Sequence, residues 1–407
     1  MKEDVKMINN SNKIFSKDFI QLFIINITSM LTFYSLMVSI VPYTVDEYHA
    51  STSMAGLVAG ITVIGTLISR FISGYLISII LPKKILVFGM VFLIPVLLIY
   101  HLKFDIQYLL LVRFLQGLSV GLVGTVTNTI VVFIIPGSRR SEGISYFSMS
   151  TIIATAIGPF FSLLLIQYVD YSILFWIELV IGIIGFIFAC MVNKEVIVIN
   201  DYKLDNKDLN IKAEPFLNKF LEPKVFGLAL LTLFVTFTYA SLQSDLDLFA
   251  QDINIGTFAS FFFLVYAGVI LLSRPFTGRV MDIKNESYII YPSLIILAIG
   301  MLLVAFMHSG YVLLIAAIFI GLGYGNFQST IQSTIAKAVC TKRLGQANST
   351  YFIFFDLALG IGPYLLGILV SFIGFRFLFL IMFLIALLGI PFYYFVHGNK
   401  VKLKITN

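Results

Sequence analysis

The sequence predicts an all-α membrane protein with twelve transmembrane helices in two pseudo-symmetric six-helix bundles. Three observations predict it. Of 407 residues, 59% are hydrophobic and only 12% charged. A soluble chain usually carries about 25% charged residues, so too little polar surface remains to cover a water-facing fold of this size. The apolar residues fall in blocks of about 18 or more, long enough to span roughly 30 Å of hydrocarbon. Finally, the chain repeats itself at one offset of 204 residues. A soluble enzyme, a secreted disulfide scaffold and a disordered protein are excluded.

Apolar blocks between polar breaks place the helices near 19–44, 53–81, 84–102, 106–133, 144–168, 172–193, 224–250, 257–281, 287–307, 310–336, 345–372 and 375–397. One long polar interruption divides them six and six. The expected organisation is an N-terminal tail (1–18), a first bundle (19–193), a central loop (194–223), a second bundle (224–397) and a C-terminal tail (398–407). With these helices the basic residues collect on one side, among them Lys83, Lys84, Arg139, Arg140, Lys337, Lys342 and Arg343. The other side holds only Lys103 and Arg376, and its loops carry Asp46, Glu47, Asp105, Asp170 and Asp252. The positive-inside rule then puts both termini, with the tails and the central loop, in the cytoplasm of a multi-pass protein of the cell membrane.

Read this way, the formal charge of +6 records topology and gives no reason to expect a nucleic-acid partner. The first apolar block is far longer than the core of a cleavable signal peptide. Cys190 and Cys340 fall on the reducing side, so no disulfide is expected. His49, His101, His308 and His397 show no metal-ligand spacing, and no metal or other cofactor is expected. The chain carries no Walker loop, nucleophile elbow or HExxH, and therefore no sign of an enzyme.

The offset of 204 pairs Ser69 with Ser273, Arg70 with Arg274, Gly74 with Gly278, Gly117 with Gly321, Arg139 with Arg343, and Gly158-Pro159 with Gly362-Pro363. Chance matches of Leu or Ile are common in apolar sequence, but one offset aligning Arg, Gly and Gly-Pro is not. Six helices return the chain to its starting side, so the halves are parallel repeats. Such repeats place a binding site at their interface, near the bilayer midplane.

These residues carry a resemblance. Over essentially its whole length the chain resembles the major facilitator superfamily. The segments SEGISYFSMSTIIATAIGP (141–159) and QANSTYFIFFDLALGIGP (346–363) are similar to bacterial drug:proton antiporters and related small-molecule exporters. The loop motif G-x-L-x-D-R-x-G-R-K is degenerate as GYLISIILPKK (74–84), with Ser78 where the motif has Asp; the second copy, GRVMD (278–282), keeps Asp282. RFLQG (113–117) matches the fourth-helix motif. The resemblance implies a monomer that moves a small molecule across the lipid bilayer with protons.

A charge in hydrocarbon is costly and marks a candidate site. Five are expected there: Arg113, Glu178, Asp245, Asp247 and Asp356. At about 1.5 Å per residue, Asp356 lies closest to mid-membrane and is the first candidate for proton coupling or substrate binding. Its structural alternative is fixation by Ser349 or Thr350. Arg113 reads equally as a fixed charge for proton or substrate and as one half of a structural pair with Glu178. Asp245 and Asp247 suggest a cationic or metal-chelate ligand; two apart on a helix, they face different ways unless the helix breaks.

Phe33, Tyr34, Gln116, Thr125, Asn128, Phe237, Tyr239, Gln243, Gln328 and Gln332 are expected to line a cavity, with packing as the alternative for each ring. Arg70, Gly74, Arg274, Gly278, Arg279 and Asp282 are expected to form a gate at the basic side. Gly158, Pro159, Gly362 and Pro363 are expected to bend helices five and eleven.

The leading expectation is a proton-coupled exporter of small amphipathic, cationic or zwitterionic molecules, such as drugs or metallophore-like metabolites. Uptake of a nutrient with protons is the alternative within transport, and a non-transporting membrane sensor the alternative outside it.

Overall fold

A computed structural model describes residues 14–50, 52–166, 168–193 and 216–399. The expected tails and central loop therefore lie largely outside the described residues, as do the side chains of Asp247 and Pro363. Six helices come first: α1 (Lys17–Tyr48), α2 (Thr52–Ile79), α3 (Pro82–Ile99), α4 (Ile106–Ile134), α5 (Arg140–Leu165) and α6 (Tyr171–Met191). After a short 3₁₀ turn, Pro223–Val225, come α7 (Phe226–Asp252), α8 (Gly256–Ile283) and α9 (Ser287–Ala305). Then α10 (Gly310–Ala338) follows. The last stretch, Leu344–Tyr393, is broken at Gly374 into α11 (residues 344–373) and α12 (residues 375–393). Eleven stretches among the described residues are long and apolar enough to cross a membrane, and the protein is an all-α, multi-pass membrane protein.

Local chemistry sets several boundaries. Ser16 accepts from the Phe19 amide at 3.2 Å and starts α1; Asp105 accepts from the Tyr108 amide at 2.9 Å and starts α4. Lys83 donates to the carbonyls of Cys190 and Val192, placing a cation on the C-terminal end of α6. Among the boundaries that differ from expectation, α1 continues through Asp46 and Glu47, and α7 continues to Asp252. Helical backbone tolerates polar residues once it leaves hydrocarbon, so apolar patterning underestimates these ends. Within α10 one π-helical turn, Gly321–Gly325, widens the helix where it meets α9.

Two apolar cores form, one from α1–α6 around Leu22, Leu93, Val123 and Phe147, the other from α7–α12 around Leu231, Leu297, Met301 and Phe379. Ile152 of α5 is buried in the core of the second six helices. The cores meet where α2 packs on α11 and α5 packs on α8.

Gly374 turns the chain from α11 into α12 with φ 77° and ψ 165°, a region essentially closed to residues with a Cβ. We expect Gly374→Ala to cost about 1–3 kcal/mol without crowding any neighbour, since nothing lies within 4 Å of the added carbon. A fall in melting temperature of the purified protein, with unchanged membrane insertion, checks this.

Candidate functional site

The two halves touch along a polar seam. Thr62, Thr66, Ser69, Arg70 and Ser73 of α2 are buried, as are Ser349, Thr350 and Asp356 of α11. The two helices run antiparallel: a Cβ on Gly360 would meet Val63 at 2.6 Å, and one on Gly74 would meet Ser349 Oγ at 2.8 Å. Between these points Arg70 Nε donates to Asp356 Oδ2 at 2.5 Å and Nη2 donates to Oδ1 at 3.3 Å. The pair is almost dry, with Arg70 5% and Asp356 7% exposed, and Phe352 covers the guanidinium at 4.2 Å. Planar guanidinium and carboxylate meet through two parallel hydrogen bonds, the strongest neutralisation available to a charge removed from water.

Arg70 is held by the Asp356 carboxylate within the seam, and the alternative fixation of Asp356 by Ser349 or Thr350 is not formed: Ser349 Oγ has no partner among the described residues and Thr350 Oγ1 donates to Gln346 O. Helix periodicity shows which faces are polar but not which polar face of another helix meets them.

Around the pair stand tyrosines from both halves. Tyr34 of α1 lies within electrostatic reach of Arg70, Asp356 and Tyr239. Tyr239 of α7 stacks on Tyr324 of α10 at 4.5 Å and 9°, and on Tyr266 of α8 at 5.4 Å and 22°. Tyr351 of α11 lies within electrostatic reach of Arg70, Asp356 and Arg274. Sequence reasoning missed Tyr266, Tyr324 and Tyr351, which carry no motif and are brought together only by the convergence of α8, α10 and α11.

Arg274 is fully buried, and its Nε, Nη1 and Nη2 have no hydrogen-bond partner among the described residues. It too sits deeper than a gate at the helix end. Asn128 and Gln332, 204 residues apart, bond directly, Gln332 Nε2 donating to Asn128 Oδ1 at 2.7 Å. A residue can touch its own repeat counterpart only on the axis relating the repeats, so this bond marks that axis. Asn348 Nδ2 donates to Thr129 Oγ1 at 3.1 Å beside it.

Towards the basic end the seam is shut. Asp282 of α8 accepts from the amides of Ser141 and Glu142 at 3.0 and 2.9 Å, seating a carboxylate on the N-terminal end of α5. Lys337 adds a third donor at 3.1 Å, and Arg139 pairs with Glu142 at 2.7 Å. On the twin side, Ser78 stands 204 positions before Asp282 and offers only a hydroxyl, which bonds Tyr75 O. There Glu222 pairs with Arg343 at 2.7 Å, its amide bonds Thr350, and Phe220 stacks on Phe71 at 4.6 Å. Glu222 was missed because it was assigned to the central loop; the repeated Arg139 and Arg343, each needing an acid, were the available signal. Arg279 is exposed.

Arg113, Glu178 and Asp245 do not bond to one another. Arg113 donates to Gln116 at 2.7 Å and to the carbonyls of Val58 and Ala59 at 3.3 Å, while Glu178 accepts from Ser35. Of the two readings of Arg113, the structural pair with Glu178 is not formed; neutral oxygens nearer the guanidinium satisfy it. Gln116 also accepts from Tyr100 and donates to Thr32 O, so it is spent inside the first six helices and does not line the seam. Asp245 is buried on α7 and accepts from Ser244 at 2.5 Å.

Thr125 bonds back to Gly121 O within its helix; Gln243 is exposed and reaches Tyr239 at 3.4 Å; Gln328 offers its carbonyl to Tyr351. Phe33 packs edge-on to Tyr34 at 5.0 Å, and Phe237 lies against Gly362. The helical backbone runs unbroken through Gly158 and Pro159, where α5 approaches Tyr34 and Ser35, and through Gly362 and Pro363. A flank groove of about 550 Å³, bordered by Ser273, Phe276, Pro292 and Asn326, lies away from these groups between α8, α9 and α10.

A family model described as Major Facilitator Superfamily matches residues 22–358 and again 293–406. The chain is 29% identical over 177 residues to the Protein TsgA homolog of Buchnera aphidicola subsp. Schizaphis graminum, covering 41% of this chain and 43% of that protein. It is 26% identical over 272 residues to Multidrug resistance protein MdtL of Escherichia coli, covering 64% of this chain and 68% of that protein. The chain thus spans less than half the length of the first relative. The crystal structure of the human organic anion transporter MFSD10 (TETRAN) aligns with a TM-score of 0.72 at 14% identity, covering 92% of this chain and 98% of that one. That likeness is one of fold.

Closure of the basic end depends on the near-contact at Gly278, where a Cβ would meet Glu142 Cα at 2.8 Å and Ser145 Oγ at 2.9 Å. We expect Gly278→Val to wedge α8 from α5. In a background with Cys190 and Cys340 replaced by Ser, a Ser145→Cys probe, buried in the native closure, should then react several-fold faster with a membrane-impermeant maleimide. Equal labelling would show that the end is not held by this contact.

Proposed function

Since this chain belongs to the major facilitator superfamily, we propose that it is a proton-coupled secondary exporter that moves small amphipathic, cationic or zwitterionic molecules by alternating access. The basic end is assigned to the cytoplasm of the cell membrane, with both termini there, and the working unit to a single chain of two six-helix bundles. The observation that carries the reading is the buried Arg70–Asp356 pair, which ties α2 to α11 across the seam.

A proton reaching Asp356 from the outer side forms one O–H bond and cancels the carboxylate charge. Arg70 then loses its counter-ion, α2 and α11 lose their strongest link, and the halves rock open towards the cytoplasm. There the proton leaves, substrate enters, and the re-ionised carboxylate recaptures Arg70 and closes the basic end with substrate inside. Each cycle moves a proton inward and a substrate outward. Tyr34, Tyr239 and Tyr324 offer flat π faces suited to an aromatic or cationic body. Export rather than uptake is supported by the Gly158-Pro159 segment and by the relative named for multidrug resistance.

Asp356→Asn keeps the size and one acceptor of the side chain but cannot carry the proton. In inverted vesicles challenged with a panel of aromatic cations and zwitterions, the variant should lose pH-gradient-driven accumulation to the level of vesicles without the protein. Equilibrium binding of the same molecules should persist, because an uncharged residue 356 cannot recapture Arg70 and leaves the basic end open to them. Near-normal driven accumulation would overturn the coupling role.

A further inference from the structure

The two halves are built on one plan, yet the plan is completed on one side only. On α2, Arg70 finds the Asp356 carboxylate of α11. On α8, Arg274 occupies the corresponding place 204 residues on, and the residue 204 before Asp356 is Ile152 of α5. Ile152 is buried against the second core, on the helix that packs on α8 as α11 packs on α2. Where one repeat carries a carboxylate, the other carries a hydrocarbon at the corresponding position.

Arg274 is consequently a guanidinium with 0% exposure and no hydrogen-bond partner for any of its three nitrogens among the described residues. Its neighbours are phenols: the groups acting on its charge are Tyr266 and Tyr351. Burying so many donors with nothing to accept them is costly. A guanidinium fork is shaped to accept two oxygens of one planar anion. Tyr266 continues, through Tyr239, into the stacked rings that reach Tyr324.

We propose that Arg274 is the receptor for a carboxylate on the transported molecule, which takes the place that the Asp356 carboxylate holds beside Arg70. The proposal rests on the transport reading above and narrows it: an aromatic body against Tyr239, Tyr266 and Tyr324, with a carboxylate at Arg274. Among zwitterionic and cationic candidates it selects the zwitterions.

The test is binding at equilibrium, without a proton gradient, to the full-length protein in nanodiscs. The probes are benzoate and its uncharged counterpart benzamide. Benzoate should raise the melting temperature of the wild type, and benzamide should not. Arg274→Gln should weaken the apparent affinity for benzoate by about tenfold or more, and Arg274→Lys, which keeps charge but loses the fork, by less. Ile152→Asp leaves Arg274 in place and supplies the missing acid from within. It should raise the melting temperature without ligand and abolish the benzoate response, which also covers a folding failure of Arg274→Gln. A wild type that does not distinguish benzoate from benzamide, or an equal benzoate shift in wild type and Ile152→Asp, would overturn the assignment. Because this measurement needs no coupling, it can fail while the Asp356→Asn vesicle result stands, and the reverse.

Discussion

A charged side chain taken from water into the interior of a membrane protein loses hydration worth several kcal/mol, which the surrounding protein must replace. The Arg70–Asp356 pair is where this chain meets that demand across its two halves. Two nitrogens bond two oxygens, and Phe352 closes over the guanidinium. For the bonds to form, α2 and α11 must lie antiparallel and close, with Gly74 and Gly360 removing side chains at the points of approach. Of the buried polar stripe on α2, Ser69 lies against Gly121 of α4, inside the first half. The link adds a charge contact to an interface that also has apolar contacts, Ile152 of α5 in the second core and Val63 against Gly360 among them.

The repeat supplies the same backbone plan twice, but chemistry distinguishes the copies. Asp282 seats on the N-terminal end of α5, whereas Ser78, its counterpart, does not reach across. The chain compensates with the segment before α7: Glu222 takes Arg343, and Phe220 stacks on Phe71. Arg70 has a carboxylate and Arg274 has none. Two copies with identical chemistry would respond to a proton identically; these have one ionisable link and one unsatisfied cation.

Not every buried charge belongs to this seam. Arg113 and Glu178 sit within the first six helices: Arg113 is answered by neutral oxygens, Glu178 by the Ser35 hydroxyl at one carboxylate oxygen only, and Gln116 is enclosed by three hydrogen bonds. Their motif and their depth made them resemble site residues. A guanidinium in a helix bundle finds carbonyls left accessible on an adjacent helix as readily as a carboxylate, and Val58 and Ala59 provide them. Depth therefore identifies residues that need partners, while the choice of partner separates a structural contact from a site.

The sequence by itself determined what depends on composition and on order along the chain. Apolar blocks of spanning length require a membrane, the 204-residue offset requires two related halves, and Gly374 lies in the break expected between the last two helices. It also singled out Asp356 as a charge costly to bury, and Arg70, Arg274 and Asp282 through the repeat and the loop motif. Only the tertiary structure decided which of them meet. Arg70 and Asp356 are 286 residues apart, and Asn128 and Gln332 touch because both lie on the repeat axis. A hydrogen bond is fixed within a few tenths of an ångström, and the rotation of a long helix about its axis, which sets that distance, is decided by packing against every neighbour at once. The sequence places a charge on a helix; the facing helices decide whether that charge is answered.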